Sequence, residues 1–136
     1  MTKPELSALY EADAAARAIG IELSEVSAGR AVLRMRVTES MINGHGLAHG
    51  GYVFLLADTA FAYACNSHGP PTVASGAEIT FVAPARLGEE LVATAVERTR
   101  FGRNGIYDVT VDRADPTGAT VIAEFRGRSR VVAPRP

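Results

Sequence analysis

The chain reads as an α+β protein in which an antiparallel sheet of five to six strands wraps one central, buried helix. Three observations predict this. Residues 52–66 form an apolar run without glycine or proline. Six other segments have strand character, and short turns join the later ones, as antiparallel neighbours require. With 136 residues, 47% of them hydrophobic and 21% charged, there is room for one domain, 1–136, with a core of its own. A disordered tail, a collagen-like repeat and a coiled coil are excluded by the same composition.

Taken in order, residues 4–19 read as an amphipathic helix. Pro4 suits a first turn, Leu6, Leu9, Tyr10 and Ile19 supply apolar positions, and Gly20 stops it. Strands follow at 21–27 and 30–38 about a turn at Ala28-Gly29. In the second, Ala31, Leu33, Met35 and Val37 alternate with Arg30, Arg34 and Arg36. The glycine-rich stretch 43–51 is expected to hold no regular structure. Residues 52–66 are apolar all round, with four alanines among 57–64, and therefore belong inside the protein as a helix of about 22 Å. The rest reads as strands: 72–82 with Val73, Ala77, Ile79 and Phe81 on one face, 90–99, 106–113 with Tyr107, Val109 and Val111 inward, and 120–132 with Val121, Ala123 and Phe125 inward. Turns are expected at Gly102-Arg103-Asn104-Gly105 and Asp115-Pro116-Thr117-Gly118.

Charge excludes some partners. Fourteen basic residues, thirteen of them arginine beside the single Lys3, face fifteen acidic ones for a net charge of −1. That balance gives no general attraction to nucleic acid or an anionic membrane. One cysteine, Cys65, cannot form an internal disulfide, which fits a reducing compartment. The N-terminal residues do not resemble a secretory signal, and the apolar run falls short of the ~20 residues of a membrane span. A cytoplasmic protein is expected.

Asp58 is the most informative residue. It interrupts a helix otherwise built for burial, where a lone carboxylate is costly unless paired and where desolvation raises its pKa toward the range of a general base. A structural hydrogen-bond network would also place a carboxylate there. The second feature is His49-Gly50-Gly51 at the entrance to the helix. Helix N-termini carry free N–H groups, and glycine admits close approach of a ligand, so a developing oxyanion would fit; a plain tight turn would also use these glycines. The loop lacks the third glycine of a dinucleotide fingerprint and the ending of a P-loop. His45 and His49 are four apart but flanked by glycine, so no metal is expected. Cys65 at the end of an apolar helix reads as packing more than as a nucleophile paired with His68, and there is no G-x-S-x-G elbow.

Gly50 and Asp58 lie eight positions apart, ~12 Å along a helix. Both can touch one carbonyl group only if a second copy of the chain brings its Asp58 beside this Gly50.

These residues carry a resemblance. Asn43-x-x-Gly46-x-x-His49-Gly50-Gly51, then Leu56-Ala57-Asp58-Thr59-Ala60-Phe61-Ala62 and the strand 75–82, resemble the hotdog-fold acyl-CoA thioesterases, most of all the hydroxyphenylacetyl-CoA thioesterase branch of phenylacetate degradation. The resemblance spans about residues 41–128. It implies a hotdog fold, hydrolysis of aryl- or arylacetyl-CoA thioesters, no metal or redox cofactor beyond the CoA of the substrate, and homodimers with shared sites that double to tetramers. By position it implies Asp58 as nucleophile or general base, Gly50 as the amide that polarises the carbonyl, and Asn43 and His49 as groups that orient carbonyl and water. Thr59, Ser75 and Gly51 would be further substrate contacts, and Arg86, Arg103 and Arg128 would bind the phosphates of CoA. Two other activities share the fold: acyl-CoA hydration, which usually pairs the aspartate with a nearby histidine missing here, and acyl-CoA binding without turnover.

Overall fold

The computed structural model describes residues 2–132, leaving aside the side chains of residues 3 and 4. The amphipathic N-terminal segment is two helices, α1 (Lys3–Ala12) and α2 (Ala14–Ala18), in place of the single helix expected over 4–19. Asp13 is the physical reason. Its Oδ1 accepts the Ala16 N–H at 3.2 Å, capping the second helix, and its Oδ2 accepts the Tyr63 hydroxyl at 3.3 Å. A residue engaged as a cap leaves helical geometry, so the chain bends there. At the start of α1, Thr2 and Glu5 close a capping box.

Six strands make one sheet: β1 (Glu22–Ser27), β2 (Arg30–Arg36), β3 (Thr72–Phe81), β4 (Glu90–Phe101), β5 (Asn104–Asp115) and β6 (Gly118–Val131). Their order is β1-β2-β4-β5-β6-β3, and every neighbouring pair is antiparallel. The concave face holds α3 (Gly50–Asn66), which packs against all six strands. The α+β expectation of a sheet wrapped around one helix therefore holds. In β2, Ala31, Leu33, Met35 and the following Val37 are buried while Arg30, Arg34 and Arg36 are exposed, as the alternation requires.

Four details depart from the sequence reading. Helix α3 begins at Gly50, because His49 caps it and draws both glycines into the first turn. Val73 does not share the face of Ala77 and Ile79; it is 50% exposed, because a bulge between Ala74 and Gly76 inserts an extra residue and reverses the pleat. A second bulge, opposite Val111/Asp112, turns Ile122 inward in place of Val121. Finally, the β4–β5 turn contains only Gly102 and Arg103, since Phe101 pairs with Asn104. Gly102 takes φ +57°, open to glycine at little cost in the first position of a two-residue hairpin.

Strand β3 and one stripe of α3 are both exposed on the single chain. Strand β3 is an edge ten residues long, paired only to β6, and it exposes Val73 and Phe81. Helix α3 buries most of its surface, but Gly51, Leu55, Asp58 and Ala62, spaced as one helical stripe, are half-buried or exposed. Among the described residues, no helix is long and apolar enough to cross a membrane.

Candidate active site

The site forms where the glycine-rich stretch hands over to α3. Asn43 organises the stretch: its Oδ1 accepts the amide hydrogens of His45 at 2.9 Å and Leu47 at 3.1 Å, while its own N–H donates to the Leu47 carbonyl at 2.7 Å. Asparagine suits this because its side chain stands in for a backbone acceptor in a turn. A bridge between Ile42 and Ala48 closes the loop, and the His49 N–H donates to the Met41 carbonyl at 2.7 Å.

His49 is the N-cap of α3. Its Nδ1 accepts the Gly51 N–H at 3.0 Å, which places the proton of the neutral ring on Nε2. Among the described residues no group of three or more His, Cys, Asp or Glu side chains is placed to hold a metal. Gly51, expected as a substrate contact, gives its amide to this cap. The Gly50 amide, at the first helical position, has no acceptor among the described residues. It is an N–H group at the positive end of a 17-residue helix.

Two turns further on, the half-buried Asp58 carboxylate makes no hydrogen bond or ion pair among the described residues. Burial alone raises its pKa above the ordinary aspartate value, with no cation to oppose the shift. Its neighbours on the open stripe, Leu55 and Ala62, are apolar. The helical rise keeps Asp58 about 12 Å from Gly50 within one chain.

A cavity of about 450 Å³ opens at Gly50, lined by Asn43, Leu47, Val53, Phe81, Pro84 and Ile122 among others, none of them ionisable. Phe81 lines this cavity and is not among the candidate residues singled out from the sequence. A Cβ added at residue 50 would stand 2.9 Å from Cζ of Phe81, so the last residue of β3 lies over the first of α3. The period-2 pattern places Phe81 on the inner face but carries no signal that two segments 31 positions apart in sequence meet.

The other expected residues are dispersed. Thr59 is buried at 6% exposure, and its hydroxyl donates to the Leu55 carbonyl at 2.6 Å within the helix. Ser75 sits in the β3 bulge, its hydroxyl on the Arg128 carbonyl at 3.1 Å. Arg86 follows Ala85 of the cavity wall and has no ion pair among the described residues. Arg103 tops the β4–β5 turn, beside a different cavity that includes Cys65 and His68 at the far end of α3. Arg128 is paired with Glu78 at 3.2 Å. The three arginines thus form no cluster on one chain. Cys65 and His68 do not pair either: burial pushes the Cys65 thiol up to about 12, and His68 Nε2 meets Glu97 at 2.7 Å.

A central helix in a curved antiparallel sheet, with a glycine amide at its start and a carboxylate on its flank, defines a hotdog-type thioesterase fold. Residues 45–120 match the Thioesterase superfamily, and the chain belongs to that family. It is 46% identical to the acyl-coenzyme A thioesterase PaaI of Escherichia coli over 122 residues, which cover 90% of this chain and 85% of that protein. The structure of the E. coli PaaI protein, from the phenylacetic acid degradation operon, superposes with a TM-score of 0.88 at 44% identity, covering 93% of this chain and 90% of the other. A single-substitution mutant of the phenylacetic acid degradation protein PaaI from Thermus thermophilus superposes at TM-score 0.81 and 32% identity, covering 86% of this chain and 97% of the other.

Proposed function

We propose that the protein is an acyl-CoA thioesterase that hydrolyses aryl- or arylacetyl-CoA thioesters to the free acid and CoA, and that two copies of the chain build each working site. One observation carries this: an unclaimed helix-terminal amide and an unpaired, half-buried carboxylate occupy the same helix, too far apart to serve one carbonyl group in one chain. Pairing of β3 edges about a two-fold axis brings the open stripes of two α3 helices together and sets each Asp58 beside the partner's Gly50. The pair also covers the exposed edge strand. Such dimers double again into tetramers.

In this mechanism the Gly50 N–H donates to the thioester carbonyl oxygen and holds it more strongly as negative charge develops there. Asp58 of the other copy acts either as general base on a water or as nucleophile. In the first case water adds to the carbonyl carbon as its proton passes to Asp58, and collapse of the adduct expels CoA thiolate, which takes up a proton. In the second, the Asp58 carboxylate attacks the carbonyl carbon, the C–S bond breaks as CoA thiolate leaves and takes up a proton, and water hydrolyses the resulting acyl-carboxylate anhydride to the free acid and the regenerated carboxylate. Asn43 and His49 orient the carbonyl and the water. Among the arginines, Arg86 is favoured for the CoA phosphates because it has no ion pair among the described residues. No metal or redox cofactor takes part, and the free thiol of Cys65 suits a cytoplasmic setting.

The test is complementation between two inactive variants. Asp58→Asn removes the carboxylate, and Gly50→Pro removes the amide hydrogen at the helical position that best tolerates proline. Mixed and allowed to exchange subunits, they form mixed dimers with one intact site, and free-thiol release from phenylacetyl-CoA returns to about a quarter of wild type. No recovery after proven exchange would refute the shared site. Absence of thiol release by the wild type across an acyl-CoA panel would refute hydrolysis, and hydration of an enoyl-CoA in its place would identify a hydratase. After single turnover in oxygen-18 water, label in the Asp58 carboxylate identifies the nucleophilic route with water opening the anhydride at the aspartyl carbon, because the general-base route labels the product acid alone.

A further inference from the structure

Phe81 is 53% exposed although it stands on the inner side of the pleat with Ala77 and Ile79. Among the described residues it makes no ring–ring contact, in contrast to Phe54, Phe61, Tyr107 and Phe125, which pair with one another. Its ring tip instead covers the start of α3. An unpaired aromatic ring beside an unclaimed amide is a surface suited to a ligand ring.

The cavity indicates which part of a substrate would enter. Its lining carries no ionisable side chain, so phosphates and carboxylates would lose their water without a counter-charge. The amide N–H groups of a pantetheine arm would find no free side-chain acceptor among the lining residues, since the oxygen of Asn43 already serves His45 and Leu47. Leu47, Val53, Pro84 and Ile122 match a neutral apolar group, and about 450 Å³ accommodates a phenyl ring with its methylene.

We propose that Phe81 is the specificity-determining wall of the acyl pocket. Its ring packs against the ring of an aromatic acyl group and thereby sets the carbonyl against the Gly50 N–H. The assignment rests on the thioesterase reading and adds the residue that selects the acyl class. Aromatic pairs contribute more than their buried area alone, equivalent to roughly a threefold to tenfold preference. A straight acyl chain gains no such term.

The test compares wild type, Phe81→Leu and Phe81→Tyr on phenylacetyl-CoA and hexanoyl-CoA. Phe81→Leu is expected to lower kcat/KM for phenylacetyl-CoA about threefold to tenfold, with less than a twofold change for hexanoyl-CoA. Phe81→Tyr, which keeps the ring, retains the wild-type ratio of the two substrates. Equal losses on both, or none, would overturn the proposal. Calorimetric Kd values for the non-hydrolysable thioether analogues of the same two esters read that ratio without turnover. A wild type that releases no thiol thus defeats hydrolysis alone, and an unchanged Kd ratio in Phe81→Leu defeats the Phe81 assignment alone. Melting curves and sizing of all three proteins check that fold and subunit pairing persist.

Discussion

Nδ1 of His49 accepts the Gly51 amide hydrogen at 3.0 Å, so the imidazole secures the second amide of α3 and leaves the first, on Gly50, unclaimed. The cap fixes the direction in which that first N–H points.

Replacing His49 therefore separates its two uses. His49→Ala removes the cap and costs about 1 kcal/mol of stability, with a lower kcat because the Gly50 amide is less well held. His49→Asn restores a side-chain acceptor at the cap. Thermal melts are expected to place it near wild type, and any kcat deficit that persists measures what the ring itself contributes to orienting water or carbonyl.

Asn43→Asp tests the loop in the same way. A carboxylate still accepts from His45 and Leu47, so the melting temperature is expected to stay within a few degrees of wild type. The side-chain N–H donors are lost, and kcat falls if they orient the carbonyl as proposed. Asn43→Ala loses both acceptor and donor and lowers stability as well.

Asp58→Asn is expected to lower kcat by at least about a hundredfold while the protein remains folded. The same substitution raises thermal stability at neutral pH. The pKa of Asp58 is raised by burial in the folded chain, so the native state binds its proton more tightly than the unfolded state. Stability is then lost as pH climbs from the unfolded pKa through the raised native one, and the loss is complete above it. Melting curves of wild type and Asp58→Asn should converge in acid and diverge toward neutrality. In the wild type the acid limb of kcat/KM should lie above the pH of an ordinary aspartate.

Arg86 and Arg128 differ in what already surrounds them. Arg128 is bound to Glu78 at 3.2 Å, whereas Arg86 has no ion pair among the described residues. Arg86→Ala should raise KM for acyl-CoA several-fold with little change in kcat, and the effect should shrink when a pantetheine thioester lacking the nucleotide is used. Arg128→Ala should do neither.

Asp58 and His49-Gly50-Gly51 were legible in the sequence because each is a local anomaly: a charge in an apolar run, and glycines where a helix starts. The sheet was legible for a similar reason, since alternation in β2 and β5 records one wet face and one dry face. The bulges in β3 and β6 were not, because the extra residue is defined only against its partner strand. Val73 and Val121 were therefore assigned to the wrong face, and Ile122 went unnoticed. Phe81 was read as a strand residue and no more, because its meeting with Gly50 depends on how a strand end folds back over a helix start. The bend at Asp13 was hidden because the amphipathic pattern runs through it without a break.

The open stripe on α3 has a consequence for anyone assaying this protein. If each reaction centre draws on two chains, dilution acts as an inhibitor. Specific activity would fall once the concentration drops below that of subunit dissociation, and would return on concentrating the sample or on saturation with a thioester that bridges both chains.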